Sequence, residues 1–273
     1  LKTAIAIPDS SLIDESTKLG KTRKISEIAR ICSIFCINEI LIYRAGDADN
    51  PDRSLLSTIL KYLETPQYFR RILYDKSELL KFVGVSYPLK IPSHSTIKDP
   101  KKIKSGDIRE GLVVNFKKQK FVDVGINHLF PYFGKEKIGK RIPIQFKNGY
   151  PKLSIKEISK DQTQEYWGYK VIERGNLLST ISSWNGNIIL TSRKGHTIKK
   201  SNIEWISKDP KPLLVVFGSP EKGLHDFLGN KITKIKNSKI LNLFPNQGTE
   251  TVRLEEAIMG TLSILNIVKT GYI

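Results

Sequence analysis

Five short runs constrain this chain more than any other feature: TAIAI (Thr3 to Ile7), EILIY (Glu39 to Tyr43), NIILTS (Asn187 to Ser192), LLVVFGS (Leu213 to Ser219) and KILNLF (Lys239 to Phe244). Their apolar residues are consecutive rather than alternating. A strand with that pattern has both faces to bury, which is the situation of a parallel sheet covered by helices. Two runs lie near the N-terminal end and three in the C-terminal third. Neither group makes a sheet alone. The simplest organisation is one α/β domain whose two parts come together around whatever lies between.

The first part reads as a βαβ unit. In ISEIARICSIFC, residues Ile25, Ile28, Ala29, Cys32, Phe35 and Cys36 follow helical spacing, with polar residues before them up to Lys24. Both cysteines are expected on the apolar face of that helix as small buried hydrophobes. A crossover helix between two buried strands implies parallel pairing. After the second strand, RAGDADNPDR reads as a loop. SLLSTILKYLE and YFRRIL follow as helical pieces divided by Pro66.

The character changes near Tyr87. YPLKIPSHSTIKDPKKIKSGD carries Pro88, Pro92 and Pro100 and many lysines, as a linker or extended entry does. Short β patterns come next: IREGLVVNF, QKFVDVGI, KRIPIQF and YPKLSIKEI. Asn148-Gly149 is a hairpin signal. Four or five strands at this spacing predict a small barrel or sandwich. A basic barrel with exposed aromatics would suit single-stranded RNA, while for Phe116 or Phe121 taken singly, filling the barrel is the favoured reading. The boundaries that follow are residues 1–88 and 170–273 for the discontinuous α/β domain and 89–169 for the all-β insertion.

Charge narrows the function. The formal net charge is +18, and residues 90–170 hold 18 Lys/Arg against 8 Asp/Glu. A heat-adapted lysine-rich surface would carry matching glutamates. Concentrated positive charge instead attracts polyanions, and nucleic acid is the partner this implies. Lys21, Lys117, Lys118, Lys120 and Arg141 are the candidate RNA contacts. No apolar run approaches the ~20 residues of a membrane span, so the expected protein is soluble, cytoplasmic and without a membrane partner. The four histidines are scattered and the two cysteines lack metal-ligand spacing, so no metal is expected.

Loops at the ends of the last three apolar runs are the candidate pocket. They are Thr191-Ser192-Arg193-Lys194-Gly195, Phe217-Gly218-Ser219-Pro220-Glu221-Lys222-Gly223 and Pro245-Asn246-Gln247-Gly248-Thr249. Ligands of parallel sheets bind beyond the carboxyl ends of the strands. There, Gly248 is expected to permit close approach and Thr249 or Thr251 to cap the following helix, from about Thr251. Neither a dinucleotide nor a triphosphate glycine motif is present.

Two of these stretches, FGSPEKGL and NLFPNQGTETVRLEEAIMGTLSILN, resemble the closing motifs of SPOUT-class RNA methyltransferases. KISEIARICSIFCINEILIY and YFRRILYDKSELLKFVGVSYPLKIPSH are similar to the subfamily with an inserted OB-like domain. The resemblance implies a SPOUT-type parallel sheet with a C-terminal trefoil knot, an OB-like barrel that binds RNA, and a homodimer. It implies S-adenosyl-L-methionine as methyl donor, held by Thr191, Ser192, Phe217, Gly218, Gly223, Asn242, Leu243, Pro245, Gln247, Gly248 and Thr249. The Gly-Ser-Pro-Glu order departs from the commoner Gly-Pro-Glu. The implied activity is methylation of a base in ribosomal RNA, with uridine N3 as a candidate; the alternative is a non-catalytic RNA-binding ribosome-assembly factor. Candidate catalytic groups are Arg23, Glu250 and Arg253. Glu250 and Arg253 are three apart at an expected helix start, where a simple helix-end ion pair is the competing reading. Arg23 and Lys21 precede the first helix, where they would be surface groups or reach RNA from a partner subunit.

Overall fold

The computed structural model describes residues 2–46 and 50–269. It divides into two compact units. The first comprises residues 1–63, 77–88 and 169–273, and the second residues 64–76 and 89–168. The expected loop RAGDADNPDR includes residues 47–49, which lie outside the described residues.

In the first unit, strands β1 (Thr3–Pro8) and β2 (Glu39–Arg44) flank helix α1 (Lys18–Ile34), and α2 (Pro51–Glu64) follows. The second unit contains α3 (Gln67–Leu73) and strands β3 (Ile108–Phe116), β4 (Gln119–Asp123), β5 (Leu129–Pro131), β6 (Arg141–Asn148) and β7 (Ser154–Glu157). The chain then returns to the first unit with β8 (Lys170–Asn176), α4 (Leu177–Ser182), β9 (Asn187–Thr197), α5 (Lys200–Ile203), α6 (Trp205–Lys208), β10 (Leu213–Val216), α7 (Leu224–Leu228), β11 (Ser238–Asn242) and α8 (Leu254–Lys269).

The six strands of the first unit form one sheet in the order β11-β9-β10-β1-β2-β8. Every pairing in it is parallel. Strand β1 is buried along its whole length and lies between β10 and β2. The consecutive apolar runs thus sit where both faces are covered, as their composition requires. Arg53 ties the carboxyl ends of three strands. Its guanidinium bonds Asp9 at 3.3 Å, the Ile42 carbonyl at 3.3 Å and the Arg174 carbonyl at 2.8 Å.

Two helix starts differ from expectation. Helix α1 begins at Lys18, because the Thr17 hydroxyl accepts the Gly20 N–H and caps it earlier than the apolar periodicity reveals. Lys21 and Arg23 are therefore helical. Helix α1 also stops at Ile34, so Cys36 lies beyond it with positive φ (52°) and is exposed, whereas Cys32 is buried. Helix α8 begins at Leu254 rather than Thr251. Arg253 takes the cap position, and its N–H bonds the Glu256 carboxylate, which reaches back at 2.9 Å. Thr249 and Thr251 do not cap it.

The second unit is an antiparallel sheet in the order β5-β4-β3-β6-β7. It is an open sheet: β5 and β7 are its edges, and no pairing closes it among the described residues. Its core joins Val113, Val122, Val124, Phe130, Ile142, Ile144 and Phe146. Phe116 and Phe121 are not part of it. Strand alternation turns them to the opposite face, and Phe116 is 46% exposed. Asn148 and Ser154 pair across the β6–β7 hairpin, so five residues rather than two make its turn.

A buried charge cluster holds this unit. Arg141 bonds Glu64 at 2.7 Å and Glu110 at 3.1 Å. Glu110 also accepts the Trp167 indole N–H. Burial raises the Glu64 carboxyl above its ordinary range despite Arg141. His94 bonds the Glu64 carbonyl through Nε2 at 2.8 Å, and burial pushes its imidazole down from 6.5 to about 4. Among the described residues no helix is long and apolar enough to cross a membrane.

The His94 shift sets a pH dependence. Below pH 6.5 the unfolded chain takes up a proton that folded His94 refuses until about pH 4. Stability from this group is thus complete above 6.5 and lost as pH falls towards 4. Urea midpoints measured across that window should fall more steeply for the parent protein than for His94→Gln; parallel profiles would show that His94 does not titrate this way.

Candidate functional site

The carboxyl ends of β10 and β11 and the middle of β9 open into a cavity of about 380 Å³. Its walls come from three loops and one helix. Strand β9 pairs with β11 in two separate segments, Ile188–Leu190 and His196–Thr197, and residues 191–195 loop out between them over the cavity. Gly195 passes so near β11 that a Cβ would lie 2.8 Å from the Leu241 carbonyl carbon. Only glycine allows that crossing.

The second loop leaves β10 at Phe217, whose N–H bonds the Ala6 carbonyl at 2.9 Å and whose carbonyl accepts the Tyr43 hydroxyl at 2.7 Å. It turns back at once. The Ser219 and Lys222 backbones bond at 2.9 Å, and the Ser219 hydroxyl accepts the Lys222 N–H at 2.9 Å. A Cβ on Gly218 would sit 2.9 Å from the Lys222 carbonyl oxygen, so the fold of this loop demands glycine there. Gly223 N–H bonds Asp226 Oδ2 at 2.8 Å and starts α7.

The third loop follows β11. Asn242 donates to the Arg193 carbonyl at 3.2 Å and accepts the Phe244 N–H at 3.0 Å. Gln247 donates to the Thr249 and Glu250 carbonyls at 2.9 and 3.1 Å, and Arg193 adds a bond to the Glu250 carbonyl at 2.9 Å. The loop turns at Asn246, which has positive φ (62°). Gly248 has open space around its would-be Cβ, so close approach does not explain it in this structure.

Of the eleven residues expected to hold the donor, the cavity brings together Thr191, Ser192, Phe217, Gly218, Gly223, Asn242, Leu243 and Gln247. Pro245, Gly248 and Thr249 shape the third loop without lining it. Glu250 lines the cavity, while Arg23 and Arg253 do not. Arg253 lies 3.7 Å from Glu15, and both it and Glu250 precede α8, so no helix-end pair joins them.

Glu221 and Lys222, from the second expected loop, also line it, and Phe244, His225 and Thr261, which the loops did not announce, complete the lining. Thr261 is fully buried on α8 and its Oγ1 has no hydrogen-bond partner; His225 Nε2 is likewise buried and unpartnered. Thr261 shares the helical spacing of the apolar residues Leu254, Ala257, Ile258, Leu262 and Leu265, which types it as core and gives no signal of a cavity. Such orphaned polar atoms are uncommon, and both residues border this cavity. The volume is that of a small-molecule site. No group of acidic, histidine or cysteine side chains able to hold a metal occurs among the described residues.

A second cavity of about 400 Å³ lies at the carboxyl ends of β1 and β2. Asp9, Ser10, Ile13, Asn50 and Phe227 help line it, and it shares Ser219, Glu221 and Lys222 with the first. Ser10 Oγ is buried without a partner.

The expected RNA contacts divide. Lys117 and Lys118 are exposed on the β3–β4 turn. Lys120 donates to the Glu136 carbonyl at 2.8 Å and braces its own loop. Lys21 pairs with Asp52 at 2.6 Å. Arg141 is engaged within its own unit: its guanidinium, one-fifth exposed, is held between two buried carboxylates rather than standing free for a polyanion.

Comparison with known proteins places these features in a family. Residues 2–265 match the model of the family described as "Putative RNA methyltransferase". An uncharacterized protein of Halobacterium salinarum is 26% identical, over 97% of this chain and 98% of its own length. One of Haloarcula marismortui is 25% identical over 98% and 99%. The human 28S rRNA (uridine-N(3))-methyltransferase is 25% identical, over 96% of this chain and 77% of its own. With nearly the whole chain matched, this protein belongs to that RNA methyltransferase family.

Proposed function

We propose that this protein transfers a methyl group from S-adenosyl-L-methionine to a uridine of ribosomal RNA, at ring N3. The observation that carries this reading is the pair of adjoining cavities at the carboxyl edge of one parallel sheet, sharing the Ser219–Lys222 turn. One suits the donor and the other the acceptor base. The human relative named for uridine-N3 methylation of 28S rRNA supports the choice of atom.

The donor, when bound, supplies an electrophilic methyl group. Phe217, Leu243 and Ala257 give its site an apolar flank, and the Thr261 hydroxyl offers a hydrogen bond that no protein group takes. Tight glycine turns leave backbone groups open to a ligand. The protein's task in such a displacement is largely to position the two reactants. Uridine N3 must also lose its proton, and negative charge spreads onto the flanking carbonyl oxygens. A cation there favours the charged form. Lys222, on the turn shared by both cavities, is the residue we assign to this role, with Glu221 or Glu250 as proton acceptor.

Three finer structural readings go with this function. The double pairing of β9 with β11 is consistent with a knotted path through residues 187–269, and the open five-stranded sheet with an OB-like module. An apolar groove of about 550 Å³ beside α1 and α8, with Ile34 and Met259 half-exposed in it, favours a homodimer joined there.

Calorimetry with S-adenosyl-L-methionine should show binding. Thr261→Val should weaken it about fivefold without lowering stability, and Gly218→Val should abolish it. No binding to folded protein would remove the reading. Lys222→Ala should lower turnover on ribosomal RNA about a hundredfold at unchanged donor affinity, with partial rescue by Lys222→Arg. Unchanged turnover would take Lys222 out of the mechanism, and donor binding without transfer to any RNA would favour an assembly factor. Sedimentation should give a dimer that Met259→Glu splits; a monomeric parent protein would overturn the dimer reading, and a crystal structure with an unknotted chain would overturn the knot.

A further inference from the structure

The outward face of the antiparallel sheet is built unlike an ordinary solvated surface. Phe121 pairs with Val114 on β3 and with Pro131 on β5, which puts the three side chains on one face. Phe116, two residues beyond Val114, joins them, and its ring centroid lies 5.6 Å from that of Phe121 at 89°. The opposite face carries the core residues Val113, Val122 and Phe130. Just past β5, Tyr132 packs against that core, and Phe133, the next residue, is 96% exposed.

Lysines frame this surface. Lys117 Nζ sits 5.4 Å from the Phe116 ring centroid. Lys117 and Lys118 form the turn at one end, both with positive φ, which aims that turn without glycine. Lys135, Lys137 and Lys140 are exposed on the loop that follows Phe133. Apolar side chains gathered on one exposed face, unlike single scattered ones, mark an interaction site. A protein partner would prefer a core depleted of nearby charge. Flat rings among several lysines match instead a strand that offers both unpaired bases and phosphates.

We propose that this face binds single-stranded RNA, with unpaired bases stacking on Phe116, Phe121 and Phe133 and the backbone running past Lys117 and Lys118. This rests on the RNA methyltransferase reading and sharpens it: the unit selects unpaired substrate segments. A duplex keeps its base faces covered and offers this surface only phosphates.

The test uses the full chain and a fluorescent twelve-nucleotide oligouridine, against a duplex of equal length. Phe133→Ala should weaken single-strand binding about tenfold, and Phe116→Ala with it further, while duplex binding is unchanged. Phe133→Trp should restore it. Lys117→Ala with Lys118→Ala should instead reduce the salt dependence, by a slope of about one. Equal affinity of Phe133→Ala and parent for the single strand would overturn the proposal, as would equal losses on both nucleic acids. Donor binding measured on the same variants separates the cases. If it and methyl transfer persist while the phenylalanines prove irrelevant, the stacking face fails and the enzyme reading stands.

Discussion

Everything at the candidate site hangs from the two backbone ladders of β1. This strand has no exposed face and no free edge: it lies between β2 and β10, with Ala4 to Ala6 registered against both. Its far end fixes the chemistry. The Ala6 carbonyl takes the Phe217 N–H, Tyr43 from the neighbouring strand anchors the Phe217 carbonyl, and the glycine turn begins at the next residue. A loop tethered to a buried strand is held in place by hydrogen bonds that cannot be exchanged for water, which is how a flexible segment gains a defined position.

The second unit solves a different problem. Its sheet has one core face, so the residues facing away are free to serve another purpose. The buried cluster of Arg141, Glu64 and Glu110 gives shape to the unit, and each member would leave an uncompensated charge if its partners were removed. Positive charge in this part of the chain is therefore of two kinds. Some cations are structural and inward, as Arg141 is. Others, such as Lys117 and Lys118, are exposed and available to a polyanion.

The sheet strands were legible because consecutive apolar residues have few other places to go; TAIAI, EILIY and LLVVFGS each became parallel strands. Helix starts were harder, because capping is decided locally. Thr17 starts α1 well before its apolar stripe, and Glu256 reaching back to Arg253 delays α8. The three glycine loops announced the cavity, and eight of the named residues meet there. What sequence hid was the contribution of residues typed as core or surface by their neighbours. Thr261 looks like a core threonine, Arg141 like a surface cation, and Phe116 like a barrel filler. Yet Thr261, though buried, borders the cavity, Arg141 is held between carboxylates and Phe116 is exposed, since periodicity reports a face of an element and not what that face meets.

The pairing of β1 with β10 also has a consequence in time. Its partner, Leu213–Val216, is some two hundred residues downstream. At roughly 5–20 residues per second, the first strand leaves the ribosome roughly ten to forty seconds before its neighbour exists. During that interval its apolar residues have only β2 to pair with, while the antiparallel sheet, whose strands follow one another closely in sequence, already has all its partners. This molecule therefore does not acquire its shape in the order of its sequence: the middle comes first, and the beginning is completed only with the end.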